Sequence, residues 1–342
     1  MQIHEMEIPR KVLLGSHILE KTKEVCKDLN LKDQLVINDS LTKDIAGETV
    51  SDSLKCENLI VKNAEYKEVE KVVKYLKENK NGSIIAVGGG SVIDIAKLAS
   101  FAEKIPFISI PTTSSHDGIA SSRASIVKDG KKTSFEAHSP IAIIADISVI
   151  VQAPYRFLAA GCGDLIANYT AVKDWELAYR LRNEYYSEYA ASLSLMSAKL
   201  MIENAEVIKN GLEESVRKVV KGLISSGVAM SIAGSSRPAS GSEHLFSHAL
   251  DRIAKNPALH GEQCGVGSII MMYLHGGNWR EIRDALKTVK APTNSKELGV
   301  SKEEITEALM IAPTIRKRYT ILGDKELSRD VAHSIAKRTG VI

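Results

Sequence analysis

No segment of this chain approaches the roughly 20 consecutive apolar residues that a membrane span needs. Neither charge is in excess: 45 Lys and Arg stand against 42 Asp and Glu, a net charge of +3 with the signs interleaved. That balance removes the usual electrostatic argument for nucleic acid or an anionic membrane surface as a partner. Cysteine is scarce. Cys26, Cys56, Cys162 and Cys264 form no CxxC pair and suit a reducing compartment. All four read as small buried thiols, including Cys162 and Cys264, which stand beside metal-type residues. Glutamine is limited to Gln2, Gln34, Gln152 and Gln263 while lysine is abundant, a bias in the thermophile direction. Met1 to Arg10 carries Glu5 and Glu7 and lacks the basic-then-apolar order of a signal peptide. The expectation is a cytoplasmic protein with no nucleic acid partner and no membrane insertion. No internal repeat or low-complexity segment is visible.

What is there is an ordinary globular composition, 44% hydrophobic and 25% charged, over 342 residues. That length exceeds what one core usually organises and predicts two domains. In the first, short apolar runs alternate with amphipathic stretches: strands over 34–38, 59–61, 83–87, 106–110 and 141–145, helices over 66–79 and 91–103. Alternation of this kind predicts a parallel sheet with helices on both faces. Two further strands, 124–127 and 132–135, flank Asp129-Gly130, a strong hairpin turn. After Pro154 strand alternation disappears. Helical spacing runs through 155–182, 187–208, 212–234, 242–254, 261–273 and 302–317. The predicted division is an α/β domain over 1–153 and a helical domain over 154–342.

Between a strand and a helix lies Val87-Gly-Gly-Gly-Ser-Val-Ile-Asp94. Glycines let the backbone approach a pyrophosphate, and a helix N-terminus offers N–H groups and a positive dipole end. Ser91 and Asp94 have the spacing of a capping box, with Asp in place of Glu or Gln. The turn is neither G-x-G-x-x-G nor a Walker loop. The alternative is a tight turn leading into a capped helix. A second polar turn, Pro111-Thr-Thr-Ser-Ser-His-Asp-Gly-Ile-Ala-Ser-Ser122, follows the next strand, and both turns fall at strand C-terminal ends, where open α/β sheets bind ligands. Asn38-Asp39, at the end of an earlier strand, is a candidate for an adenosine ribose.

Three metal-type residues follow downstream. Asp164 sits in Gly-Cys-Gly-Asp, His244 in Ser-Glu-His-Leu-Phe-Ser-His, and His260 in Leu-His-Gly-Glu. Individually, Asp164 reads equally as a helix N-cap, and each histidine as a satisfied polar residue. Together they form the His₂-carboxylate set of catalytic zinc, which leaves positions for water or substrate; a carbonyl oxygen there would be polarised. His248, four residues after His244 and on the same helical face, reads as a fourth ligand or a substrate contact. His116-Asp117 is a further polar pair. Arg237 is a candidate for a substrate phosphate or a plain surface arginine. His4, His17, His138, His275 and His333 read as structural. A zinc hydrolase needs Glu just after its first His, but here Glu243 precedes His244 and Leu245 follows it. A nucleotide-binding module without activity leaves the metal set unexplained.

In order and type, Gly88 to Asp94, Pro111 to Gly118, Gly163-Asp164, His244-x₃-His248 and His260-Gly261 resemble the iron-containing alcohol dehydrogenase, glycerol dehydrogenase and dehydroquinate synthase superfamily. The similarity spans about Val36 to Gly267, and the Thr-Thr-Ser-Ser-His-Asp-Gly-Ile-Ala-Ser-Ser run is its specific part. The resemblance implies an N-terminal Rossmann-like nucleotide-binding domain, a C-terminal all-helical metal-binding domain and a cleft between them. It implies zinc on Asp164, His244 and His260, substrate contacts from Asp117, Asp164 and His248, and these last three as the catalytic residues. NADPH or NADH would be lined by Gly90, Ser91, Val92, Ile93, Asp94, Thr112, Thr113, Ser114, Ser115 and Ser121; Asp39, read from its strand end, is the ribose candidate, and no motif there separates NADH from NADPH. Within the superfamily, the motifs are most similar to the branch that reduces dihydroxyacetone phosphate to sn-glycerol 1-phosphate for archaeal-type lipids. A zinc-dependent glycerol or other polyol dehydrogenase is the alternative. A homo-oligomer is expected, because helical C-terminal domains commonly bury a face against a partner.

Overall fold

A computed structural model describes residues 6–342, so His4 and Glu5 lie outside the described residues. The chain divides into two compact units, Met1–Pro154 and Tyr155–Ile342.

The first unit is built on eight strands: β1 (Lys11–Gly15), β2 (Gln34–Asn38), β3 (Glu57–Ile60), β4 (Ser83–Gly88), β5 (Phe107–Pro111), β6 (Arg123–Lys128), β7 (Lys131–Glu136) and β8 (Ala142–Asp146). Six of them form one parallel sheet in the order β1-β8-β5-β4-β2-β3. β4, β5 and β8 are mostly apolar and buried along their whole length, as a sheet covered on both faces requires. On one face Val36, Ile85, Val87, Ile108, Ile110 and Ile144 pack with Val25, Cys26 and Val50 of the helices Thr22–Asp28 and Glu48–Leu54. Side chains alternate across a strand, so Ile84 and Ala86 face the other way, toward the helices Tyr66–Asn79 and Gly90–Glu103. The first of these buries Val69, Val72 and Leu76, an i, i+3, i+7 stripe.

β6 and β7 form a separate antiparallel hairpin. Asp129 and Gly130 adopt φ of 52° and 72°, the two positive values of a type I′ turn.

The second unit is wholly helical among the described residues. Tyr155–Arg182 packs against His260–Leu274, Glu188–Glu203 and Glu213–Ala233. Buried Trp175 centres one core with Val172, Ala190, Ala191, Ala229 and Ala233. No helix among the described residues is long and apolar enough to cross a membrane.

Several elements depart from the sequence reading. β1 carries no clear alternation and is a strand because β8 supplies its ladder. The helices Thr22–Asp28, Glu48–Leu54, Trp279–Thr288 and Arg329–Arg338 were not predicted. The stretch 187–208 breaks at Asn204. The helix predicted to reach 317 stops at Ile311, where Pro313 converts the chain to a short 3₁₀ turn.

Candidate metal centre and nucleotide turns

Asp164 lies inside the long helix Tyr155–Arg182 rather than at its start, so it is not an N-cap. The helix brings it to His260 through a close approach of backbones. A Cβ on Gly163 would stand 2.3 Å from the Gly261 carbonyl oxygen. Only glycine at 163 lets the helix His260–Leu274 come this near. His244 arrives on a third helix, Ser242–Ile253.

The three side chains converge. Nε2 of His244 and Nε2 of His260 each lie 3.7 Å from Asp164 Oδ1, and the two imidazole centroids are 4.9 Å apart. Two nitrogen or oxygen donors of one tetrahedral zinc stand about 3.3 Å apart, given metal bonds of about 2.0 Å. A separation of 3.7 Å is longer than a hydrogen bond and close to that value. Cys264 joins the group from one turn beyond His260, with its sulfur 3.6 Å from His260 Nε2. One donor atom from each of Asp164, His244, His260 and Cys264 lies within 4.8 Å of the others. A buried carboxylate, two imidazoles and a thiol suit zinc or another transition metal far better than calcium or magnesium, so the residues present fit a metal of the implied kind.

Outer contacts orient the rings. Nδ1 of His244 faces Glu243 Oε1 at 2.8 Å, and Nδ1 of His260 faces Ser247 Oγ at 3.2 Å. Ser247 in turn donates to Gln263 Oε1 at 3.3 Å. With Nδ1 engaged in both rings, Nε2 is turned toward Asp164. Burial opposes charge on His244, yet Cys264 and Glu243 outweigh it and hold its pKa well above the ordinary imidazole value. Burial pushes the Cys264 thiol up to about 11 and the Cys162 thiol up to about 12. Cys162 is thus the inert buried thiol the sequence predicts, whereas Cys264 belongs to the donor cluster. Its i+4 spacing from His260 was the available signal.

His248 stands outside the donor set. It is half-buried, with ring centroids 6.5 Å from His244 and 5.9 Å from His260. The helix carrying both residues is fixed at its start by Asp174. This fully buried carboxylate accepts from Ser242 N at 2.7 Å and Ile321 N at 2.7 Å, and meets His275 Nε2 at 3.0 Å. His275 therefore supports the metal helix from behind. Arg237 is not a spare cation. It is buried, pairs through Nε with Glu184 at 2.6 Å and through Nη2 with the same carboxylate, and donates to Tyr319 O at 2.9 Å.

In the first unit, β2 leads outward to β3 while β4 leads in the opposite direction to β5. The crevice at the C-terminal ends of β2 and β4 is the place where such sheets bind nucleotides. Asp39 and the Gly88–Gly90 turn lie at those ends. Thr112 N donates to Gly88 O at 3.1 Å, tying the second polar turn to the first. The helix Gly90–Glu103 has Gly89 at its N-cap and no capping side chain, so the Ser91–Asp94 capping box does not form. Asp94 instead accepts from Ser125 N at 2.9 Å and Lys97 Nζ at 3.3 Å.

Lys97, which the sequence reading passed over, is fully buried and also donates to Gly118 O at 2.8 Å and Arg123 O at 2.6 Å. Burial lowers its pKa against the pull of Asp94. Val92 and Ile93 bury their side chains completely, leaving backbone as what they can present, while Ser91 is exposed. Thr112, Ser114 and Ser121 are buried; Thr113, Ser115 and Asp117 are half-buried.

His116 packs on the turn itself, where a Cβ on Gly90 would meet its Nε2 at 2.2 Å. Its Nδ1 accepts from Gly118 N at 3.0 Å, and burial lowers its pKa. Asn38 is fully buried, with neither amide atom hydrogen-bonded among the described residues. Asp39 uses Oδ1 to cap the next turn, accepting from Leu41 N at 3.0 Å and Thr42 N at 2.7 Å.

Known proteins resemble this chain in sequence and in fold. The sequence model of the iron-containing alcohol dehydrogenase family matches residues 13–154. A protein of Thermococcus sibiricus named glycerol-1-phosphate dehydrogenase (NAD(P)+) is 59% identical over 348 aligned positions, covering 100% of this chain and 99% of its own. One of the same name from Methanosarcina acetivorans is 57% identical, covering 98% and 96%. Among solved structures, a glycerol dehydrogenase from Schizosaccharomyces pombe superposes with a TM-score of 0.82 at 22% identity, covering 99% of this chain and 91% of its own. A maleylacetate reductase from Agrobacterium tumefaciens does so at 0.81 and 16%, covering 99% and 98%. These likenesses establish the fold, a Rossmann-like α/β unit followed by a helical one. The full-length identities go further: the chain belongs to the glycerol-1-phosphate dehydrogenase family.

Proposed function

We propose that this chain catalyses the reversible NAD(P)H-dependent reduction of dihydroxyacetone phosphate to sn-glycerol 1-phosphate, assisted by zinc. The observation that carries the reading is a largely buried Asp164–His244–His260 donor set in a chain 59% identical, end to end, to a protein named for that activity. The same reading places the reaction in the cytoplasm, in the synthesis of archaeal-type membrane phospholipids.

When bound, zinc supplies a Lewis acid for the C2 carbonyl and the dinucleotide supplies the hydride. The chain's own residues do the rest. Asp164, His244 and His260 would hold the metal, each imidazole through Nε2, with the Cys264 sulfur beside them, a donor set that suits zinc better than a harder ion. Asp164 also contacts substrate. His248, one turn along from His244, binds substrate and passes a proton to the reduced oxygen. Asp117, half-buried on the second polar turn, is the further substrate contact. Gly90 to Asp94, Thr112 to Ser115 and Ser121 bind the dinucleotide, largely through backbone N–H groups and hydroxyls at strand ends, with Asp39 at the ribose. Asp94 acts there by fixing the β6 backbone, since its carboxylate is engaged with Ser125 and Lys97.

A homo-oligomer is part of the proposal. Tyr189, Met196 and Leu200 are exposed at 85%, 50% and 43% along one helix, at spacings that put them on a common side.

The test is an assay of dihydroxyacetone phosphate reduction with NADH and with NADPH, followed by chiral analysis of the product. Turnover to the sn-1 product supports the reading. Preference for free glycerol over glycerol 1-phosphate in the reverse direction overturns it in favour of a polyol dehydrogenase.

A further inference from the structure

The helix that carries His244 opens with a carboxylate that has no outlet to water. Glu243 is fully buried. Its Oε1 accepts from Gly241 N at 2.6 Å and faces His244 Nδ1 at 2.8 Å. Its Oε2 accepts from Thr170 Oγ1 at 2.8 Å. Its one ion pair among the described residues is with the His244 imidazole, and the buried Arg318 guanidinium, bound to Ser240 O, acts on it electrostatically while also serving Glu184. A buried carboxylate flanked by neutral donors and one imidazole is electrostatically costly unless a positive charge lies close by. Asp164, also buried, repeats the situation on the other side of the ring, with Nε2 of His244 and of His260 facing it. Two buried carboxylates thus flank two imidazoles that are neutral when they coordinate a metal. A divalent cation at the donor set adds positive charge where both carboxylates face it.

We propose that Glu243 is the second counter-charge of the metal centre and sets how tightly the metal is held. It acts through His244: its Oε1 fixes Nδ1–H, so that Nε2 presents its lone pair toward Asp164, and its charge balances the part of the metal charge that Asp164 leaves over. Glu243 is a positioning residue, touching neither metal nor substrate, and the proposal rests on the metal reading above. Thr170 and Gly241 hold Glu243 itself, so the chain of positioning runs from the long helix through Glu243 to the ring.

The test compares wild type, Glu243→Gln and Thr170→Val. Zinc affinity is measured by competition with a chromophoric chelator, alongside the thermal stability of each full-length protein stripped of metal. Gln keeps an acceptor for Nδ1–H and removes only the charge. Expected is a loss of zinc affinity of about 10- to 100-fold in Glu243→Gln, with a metal-free unfolding temperature at or above that of wild type. Thr170→Val, which releases one carboxylate oxygen, should lose less and stay folded if Glu243→Gln does not. Affinity equal to wild type in both variants overturns the proposal, as does a metal-free protein destabilised with affinity unchanged, the pattern of a purely structural carboxylate. A wild-type chain that takes up no zinc removes the metal reading and Glu243's role together.

Discussion

His260 shows how far one residue carries the site. Its ring is engaged at Nδ1 by Ser247 and aimed at Asp164 by Nε2, so removing it deletes a donor rather than an orienting contact. His260→Ala should lower zinc affinity by more than the about 10- to 100-fold typical of outer contacts and abolish turnover. Metal analysis and the reduction assay check this, and full zinc content at full rate would refute the metal assignment. Lys97 makes the opposite point, a residue with no chemistry to perform and much structure to hold. Lys97→Met leaves Asp94 and the Gly118 and Arg123 carbonyls without their buried donor. The expected loss is about 3–5 kcal/mol of stability, read by urea unfolding, with weaker NADPH binding in a fluorescence titration. Metal-type residues were legible from their local glycine-rich settings. Lys97 was not, because a lysine three residues after Asp94 on a helix reads as a solvated i, i+3 pair until the packing shows it sealed in.

Among the elements, the determining contact is that between the helices Tyr155–Arg182 and His260–Leu274. Glycines at 163, 261 and 265 thin both surfaces, and the distance between helix axes then sets whether Asp164 and His260 can share an ion. Gly163→Ala places a methyl group against a backbone carbonyl that has no rotamer to yield. It should cost about 1–3 kcal/mol through overpacking and reduce zinc content; differential scanning calorimetry and metal analysis read the two effects, and unchanged metal content would show that helix spacing does not govern the site. Local signals fixed several elements closely. The Asp129-Gly130 turn lies where β6 and β7 meet, and the helix Tyr66–Asn79 has the limits its apolar stripe predicts. β1 lacked any such signal. Its five residues are an edge strand with one neighbour, and the neighbour lies about 130 residues away in sequence.

For the whole molecule, metal and stability are linked, because a ligand that binds only the folded chain stabilises it by about 4 kcal/mol at 1,000 times its dissociation constant. Chelation should therefore lower the unfolding temperature. Hydrogen exchange should show the lost protection concentrated in the helices Tyr155–Arg182, Ser242–Ile253 and His260–Leu274, and a uniform loss over both units would contradict a metal site confined to the second. Sequence by itself determined the alternation of strand and helix, the change to an all-helical second half, the two polar turns and the identity of Asp164, His244 and His260, since periodicity and turn chemistry are written within 10 to 20 residues. Tertiary structure decided the strand order, the engagement of Asp94 by Ser125 and of Arg237 by Glu184, the entry of Cys264 into the metal-type cluster and the burial of Glu243 behind His244. Those depend on which distant segments pack together, and a buried polar group takes its partner from whatever the packing brings within hydrogen-bond reach.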